Sequence, residues 1–440
     1  MNADTTRAIG YLLVGSLAFF APLLTGRVGG IAADVGVVAP FALVAIVAFV
    51  SRDGTVFEFL ASAADREEGR LYDLLSFALG ATALALCFVG FAFPLTAFLA
   101  PIFVLTVGDL ARTLARPWTR TPVAGAAVFT VSGTVGGSAA VALAGVVGGA
   151  VPGVPLVAFV AASGAVLGAL IRSALFRRDD SLVLLASALV VWFLLEIGVA
   201  PTAERMAVGL AVTVALGYVA YALGTASVTG VLTGVLLALF AVVLGGYGWF
   251  VLLVTFFGLG GLASKYRYDE KLDRGIAQEN DGARGGGNVL ANSAVALVAV
   301  VAYAASSRVG VDPLVFQFVF SGAVAAALAD TFSSEFGGLF DSPRLITTLE
   351  PVAAGTDGGV TWQGAIAGAI GASIIALLGA LFFAFDGAAT AAVVLAGFFG
   401  MLFDSVLGAT LEGERVGNQG VNLLATLAAG LAAGVFAVAL

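Results

Sequence analysis

The chain has 440 residues and a mass of 44.0 kDa, with 60% hydrophobic residues, 11% charged residues and a mean hydropathy of +1.07. An ordinary soluble domain carries about 25% charged residues, and this much apolar surface cannot be hidden in one or two soluble cores, so the bilayer is the expected solvent. There is no histidine, and the single cysteine, Cys87, sits in the apolar run ALALCFVGF. Imidazole bases, His or Cys metal sites and disulfides are therefore excluded. Carboxylates, arginines, amides, hydroxyls and backbone groups remain. The net charge is −8, only Lys265 and Lys271 are lysines, and no basic tract suggests nucleic acid. Acidic, lysine-poor usage fits salt adaptation or GC-rich codon bias.

A crossing helix needs about 20 apolar residues, and the pattern predicts about fifteen of them. In chain order they are 8–25, 30–51, 72–92, 93–111, 123–146, 153–171, 181–199, 203–223, 226–245, 246–263, 289–307, 313–334, 364–385, 388–411 and 420–439. The first lacks a charged leader region and a small-residue cleavage site, so it reads as a span and not a removed signal. Alternating the ends places every basic residue on one side except Arg27, Arg205 and Arg308. The positive-inside rule then predicts a cytoplasmic N-terminus and an extracytoplasmic C-terminus. The segment 203–223 opens on Glu204 and Arg205, yet this segregation of charge requires it.

The chain also repeats. LTVGDLARTLA (105–115) matches AALADTFSSEF (326–336), setting Asp109 on Asp330, 221 residues later. GTVGGS (133–138) is set against GTDGGV (355–360), each expected to open a helix. GALIRSALFRRDDSLVLLAS (168–187) is set against DSVLGATLEGERVGNQGVNLLAT (404–426). The spans divide as seven, one and seven, so the expected architecture is an all-α bundle of two parallel repeats. The expected domains are 1–200, a linking helix in 201–225, and 226–440. The hydrophilic loops 52–71 and 264–288 correspond, and both are expected to be cytoplasmic.

Carboxylates within membrane helices are costly and mark functional candidates. Asp330 and Glu335 close one helix, five residues apart and so about 140° around it, where they are expected to flank one site. Asp404 interrupts the apolar run GFFGMLFDSVLGATL. Between them, SPRLITTLEPVAAGTDGGVTWQG (342–364) enters a helix through Gly355, Thr356, Asp357, Gly358 and Gly359. Consecutive backbone N–H groups at such a helix start suit an anion. Because Asp357 would repel a bare phosphate, a bridging Mg²⁺ is the better expectation. Arg344 offers a guanidinium fork for phosphate, and Asn288 and Asn292 lie in reach of a ligand. This set suits Mg²⁺-dependent phosphoryl transfer, which relies on positioning and charge compensation. Asp341, Glu350 and Asp386 read as caps or interfacial groups, and 265–287 as a solvated loop. The rival readings are a lipid or solute transporter built from parallel repeats and a scaffold with a decayed site.

ADTFSSEFG, PRLITTLEPVAAGTDGGVTWQG, DSVLGATLEG and NQGVNLLATL, in this order, resemble the successive motifs of the integral membrane family known as domain of unknown function 92. That family includes transmembrane protein 19 and the phytyl-phosphate kinases of vitamin E synthesis. The resemblance covers about 225–440; it departs in a short 412–419 loop and at Phe332-Ser333, where Trp-Ala is common. The first copy is similar, more faintly, to CTP-dependent phytol and dolichol kinases through VGDLARTLA and FRRDDSLVLLASALVVWFL. There TVSGTVGG lacks the family's basic and glutamate residues, and Gly168 stands opposite Asp404, so 1–200 is expected to be a degenerate copy. The resemblance implies a kinase on the cytoplasmic side, acting on a membrane isoprenoid alcohol or its phytyl or geranylgeranyl monophosphate, with CTP as favoured donor and Mg²⁺. Asp330, Asp357 and Asp404 would serve metal and charge positioning with Glu335 nearby; Arg344, Gly355, Thr356, Gly358 and Gly359 would hold phosphates; Asn418 and Asn422 would contact substrate.

Overall fold

Every predicted span falls on a helix among the described residues. The computed structural model describes residues 3–91, 93–175, 180–222, 226–277, 285–412 and 416–439. Arg177, Arg178, Arg284 and Arg415, which entered the charge count, lie outside them. The chain divides into two units, Met1–Met206 and Ala207–Leu440.

The first unit holds α1 (Asp4–Thr25), α2 (Gly30–Val50), α3 (Tyr72–Gly90), α4 (Leu95–Ala115), α5 (Pro122–Val146), α6 (Val154–Ala174) and α7 (Asp180–Glu196). The helix α8 (Ala203–Ala222) contains the division between the units. The second unit continues with α9 (Val228–Gly245), α10 (Tyr247–Lys265), α11 (Gly286–Ala304), α12 (Pro313–Gly337), α13 (Trp362–Phe383), α14 (Gly387–Leu411) and α15 (Asn418–Ala439). Among the described residues, thirteen of these are long and apolar enough to cross a membrane. The other two are α7, 17 residues long as described, and α8. The protein is an all-α, multi-pass membrane bundle.

Sequence chemistry sets the helix ends. Thr121 caps α5 through the Ala124 N–H, with Pro122 in the first turn, and Thr361 caps α13 through Gly364. Asp386 caps α14 by accepting from the Ala389 N–H at 2.8 Å, the structural role expected of it.

Each unit is built around its fourth helix. In the first, α1, α5, α6 and α7 pack on α4; in the second, α10, α11, α13, α14 and α15 pack on α12. The central helices are lined with small residues, and α12 is buried continuously over SGAVAAALA (321–329). Small residues let backbones approach closely where water supplies no driving force. A Cβ on Gly133 of α5 would lie 2.8 Å from the Val104 carbonyl oxygen of α4, and one on Gly371 of α13 would lie 2.9 Å from that of Leu328 on α12. The fourth and fifth helices thus meet in the same way in both units.

Two sequence correspondences change. GTVGGS does not open a helix: it lies inside α5 and packs against α4, whereas GTDGGV lies in the connection before α13. The same glycine spacing serves helix contact in one copy and a turn in the other. The first two helices also exchange neighbours. In the first unit α1 packs on α4 and α2 on α3, whereas in the second α10 packs on α12 and α9 on α11.

Candidate functional site

In the second unit, a polar cavity of about 660 Å³ opens among the ends of α11, α12, α13, α14 and α15. Asp330 and Asp404 reach it from two of these helices, each seven residues before the helix end, about 10 Å at 1.5 Å per residue. Their carboxyls are close enough to interact electrostatically. The Asp404 Oδ1 is buried with no hydrogen-bond partner among the described residues.

The loop from 342 to 361 forms the opposite wall. It is held by a short antiparallel pair, β1 (Arg344–Leu345) with β2 (Gly359–Val360). Gly355 and Gly358 both take positive φ, 81° and 74°, a conformation that favours glycine. Gly358 also needs its bare Cα for space, because a Cβ there would lie 2.5 Å from that of Ala409. On the facing helix, a Cβ on Gly408 would lie 3.1 Å from the Gly358 nitrogen. This glycine-to-glycine approach brings Asp357 beside α14. Gly359 turns its N–H inward to the Thr356 carbonyl at 2.9 Å, so it is not one of the donors of an open anion nest.

Of the residues singled out in the sequence, Asp330, Asp357, Asp404, Gly355, Thr356, Gly358, Gly359, Asn292, Asn418 and Asn422 all line this cavity. The three aspartates do not form one cluster: among the described residues, no three carboxylates converge as a metal cage. Asp330 and Asp404 make a pair, and Asp357 lies beside Glu412.

Glu335 and Arg344 are placed elsewhere. Glu335 accepts from Lys271 Nζ at 2.6 Å in a buried ion pair, and Lys271 also donates to the Ala263 carbonyl at 2.7 Å. The five-residue spacing explains this: the turn that aims Asp330 at the cavity aims Glu335 at α10. Arg344 is exposed and donates to the Leu349 carbonyl at 2.7 Å. Part of the loop expected to be solvated is therefore a short helix, Tyr268–Asp273, pinned by a lysine that is 1% exposed. The remaining loop residues at 278–284 lie outside the described residues.

Glu412 and Asn288 also line the cavity. Glu412 is the penultimate residue of the DSVLGATLEG motif and was legible there; Asn288, one turn before Asn292, accepts from its side-chain amide through the backbone carbonyl at 3.0 Å. Burial and the neighbouring Asp357 carboxylate hold the Glu412 carboxyl above its usual range. The folded chain thus keeps this proton to higher pH than the unfolded chain, so stability should fall as pH rises from the ordinary glutamate range through the raised value. Glu412→Gln should flatten that slope in melting curves recorded against pH.

The lining combines four carboxylates, four asparagines and several hydroxyls, with no lysine or arginine among the described residues. Crowded carboxylates call for a cation, and an all-oxygen set suits a hard one. The lone Asp404 Oδ1 beside Asp330 fits such an ion. Mg²⁺ takes one or two carboxylates and completes its shell with phosphate and water, so a pair suffices.

The profile of the integral membrane protein family DUF92 matches residues 211–430, and the chain belongs to that family. The chain is 37% identical over 184 residues to the uncharacterized membrane protein MJ0933 of Methanocaldococcus jannaschii, covering 41% of this chain and 73% of that one. It is 33% identical to Protein PGR of Arabidopsis thaliana, over 38% of this chain and 65% of the relative. It is 27% identical to chloroplastic Protein VTE6 of the same plant, over 41% and 55%. The matches to PGR and VTE6 thus span less than two thirds of those proteins. No solved structure matches the chain.

Proposed function

We propose that the second unit transfers a phosphoryl group from a nucleoside triphosphate, with CTP favoured, to an isoprenoid monophosphate of phytyl or geranylgeranyl type at the cytoplasmic membrane face. The carrying observation is the cavity itself, with paired Asp330 and Asp404, polar amides around them and no basic side chain among the described lining residues. Family membership, the likeness to VTE6 and the motif resemblance to phytyl-phosphate kinases support the acceptor class.

In the reaction, the bond from the γ-phosphorus to its bridging oxygen breaks, a new phosphorus–oxygen bond forms to the acceptor, and the nucleoside diphosphate leaves. Asp330 and Asp404 would hold Mg²⁺, which supplies charge compensation for the phosphates when bound. The amides of Asn292, Asn418 and Asn422 can donate to phosphate oxygens, and the Thr361-capped start of α13 adds its dipole. Asp357 and Glu412 bound the cavity on the loop side and disfavour a phosphate that arrives without a cation. A monophosphate acceptor is largely ionised at neutral pH, since its second pKa is about 6, and so needs no strong base. That suits a chain without histidine and favours the monophosphate over the alcohol.

An apolar cleft of about 220 Å³ lies between α8, α9 and α10 and reaches Val289 of α11. Asn288 and Asn292, on either side of Val289 in the chain, line the polar cavity. The cleft is the place for the isoprenoid chain. Gly258 faces open space there, so Gly258→Leu should raise KM for long-chain acceptors and leave kcat nearly unchanged. The direct test of the activity uses purified protein, labelled CTP or ATP, and geranylgeranyl or phytyl monophosphate. Mg²⁺-dependent label transfer is expected, and its absence with both nucleotides and both acceptors defeats the reading.

A further inference from the structure

The first unit has its own polar cavity, of about 690 Å³, among the ends of α1, α4, α5, α6 and α7. Its charge is mixed where the other cavity's is acidic: five arginines (Arg7, Arg112, Arg116, Arg120 and Arg172) and four aspartates line it. Asp109 occupies the place on α4 that Asp330 holds on α12. Its two oxygens accept from Arg7 at 3.0 Å and Arg172 at 2.9 Å, and Arg172 also bonds Asp180 at 2.7 Å.

The alignment of the sixth helices explains the change. Gly168 stands where the second unit has Asp404, and Arg172 where it has Gly408. One carboxylate is lost and a guanidinium enters beside the conserved-in-place aspartate. The second unit's carboxylate pair calls for a cation; here the chain supplies the positive charge itself. The two half-buried arginines, Arg7 and Arg172, are also fixed in place. Arg7 lies over the Tyr11 ring at 5.1 Å and Arg172 over the Phe129 ring at 5.4 Å. Their side chains are only 15% and 14% exposed, and Arg7 Nε is buried with no partner among the described residues.

At the mouth, Arg112, Arg116 and Arg120 follow at intervals of four and are exposed; Arg116 pairs with Asp4 at 2.9 Å. Opposite them, Thr121, Pro122 and Gly125 bring the start of α5, whose dipole favours negative charge.

We propose that this cavity is a second binding site, which takes a phosphate or diphosphate group directly, without a divalent cation. Guanidinium forks match phosphate oxygens two at a time, so the half-buried Arg7 and Arg172 set the floor and Arg112 and Arg120 clamp at the rim. Because the cavity opens at helix ends, the group can be the head of a membrane-embedded chain or a free anion.

The test uses the full-length protein in phosphatidylcholine nanodiscs with EDTA, titrated calorimetrically with farnesyl monophosphate, inorganic phosphate and inorganic diphosphate. Binding of at least one probe is expected, weakened roughly tenfold or more by R112Q/R120Q and unchanged by D330N/D404N. Preference for farnesyl monophosphate assigns the site to a lipid head; equal binding of the inorganic anions assigns it to a free phosphate. Absence of binding in EDTA, or binding insensitive to R112Q/R120Q, overturns the proposal. Because the readout needs neither Mg²⁺ nor turnover, it stands apart from the fate of the phosphotransferase reading.

Discussion

Asp330→Asn and Asp404→Asn should each lower Mg²⁺-dependent phosphoryl transfer by roughly a hundredfold or more, while leaving the protein as stable as the parent or more so. The two carboxyls interact electrostatically and line one polar cavity. Like charges held there without a cation repel, so neutralising one relieves the fold. The same change removes the charge that would hold the metal on the phosphates. Activity and melting temperature should therefore move in opposite directions, which separates a functional role from a packing role. Rate assays and melting curves on the same preparations, with and without Mg²⁺, give both readings. Loss of activity together with collapse of stability would make these aspartates structural, and undiminished transfer would remove them from the mechanism.

Lys271→Met should strongly destabilise the second unit. It leaves the Glu335 carboxylate buried beside an apolar side chain, and breaking a buried pair on one side costs about 3–5 kcal/mol. Lys271 is 1% exposed and Glu335 5%, so water cannot replace the lost partner. The short helix it pins leads directly into Gly275, Ile276 and Ala277, which line the cavity. The double change Lys271→Met with Glu335→Leu should recover most of the loss, because an apolar pair of similar volume often matches a buried ion pair. Thermal unfolding in detergent checks both. A single variant as stable as the parent would mean that the pair is solvated in the working protein.

Much of the site was legible because its chemistry is scarce. In a chain that is 11% charged, each carboxylate in an apolar run stands out, and Asp330, Asp357 and Asp404 do meet around one cavity. Glu335 misled because spacing along a helix gives an angle but not the neighbour at that angle. Arg344 misled in another way: its fork is engaged by a carbonyl of its own loop, a local bond that no motif announces. The glycine blocks were read as equivalent, yet 133–138 serves helix contact and 355–360 a turn against α14. Glycine marks closeness without saying to what.

Composition and periodicity by themselves determined the solvent, the helical class and the approximate position of the thirteen described spans, since a backbone in lipid must satisfy its hydrogen bonds within each segment. They also removed histidine and cysteine chemistry at the outset. Tertiary structure alone decided which polar groups share a cavity. It joined residues as far apart as Asn292 and Asn422, turned Glu335 away to Lys271, and set Arg172 beside Asp109. Those outcomes depend on which helices pack against the fourth helix of each unit and how closely small residues let them approach, and neither is contained in a single segment's pattern.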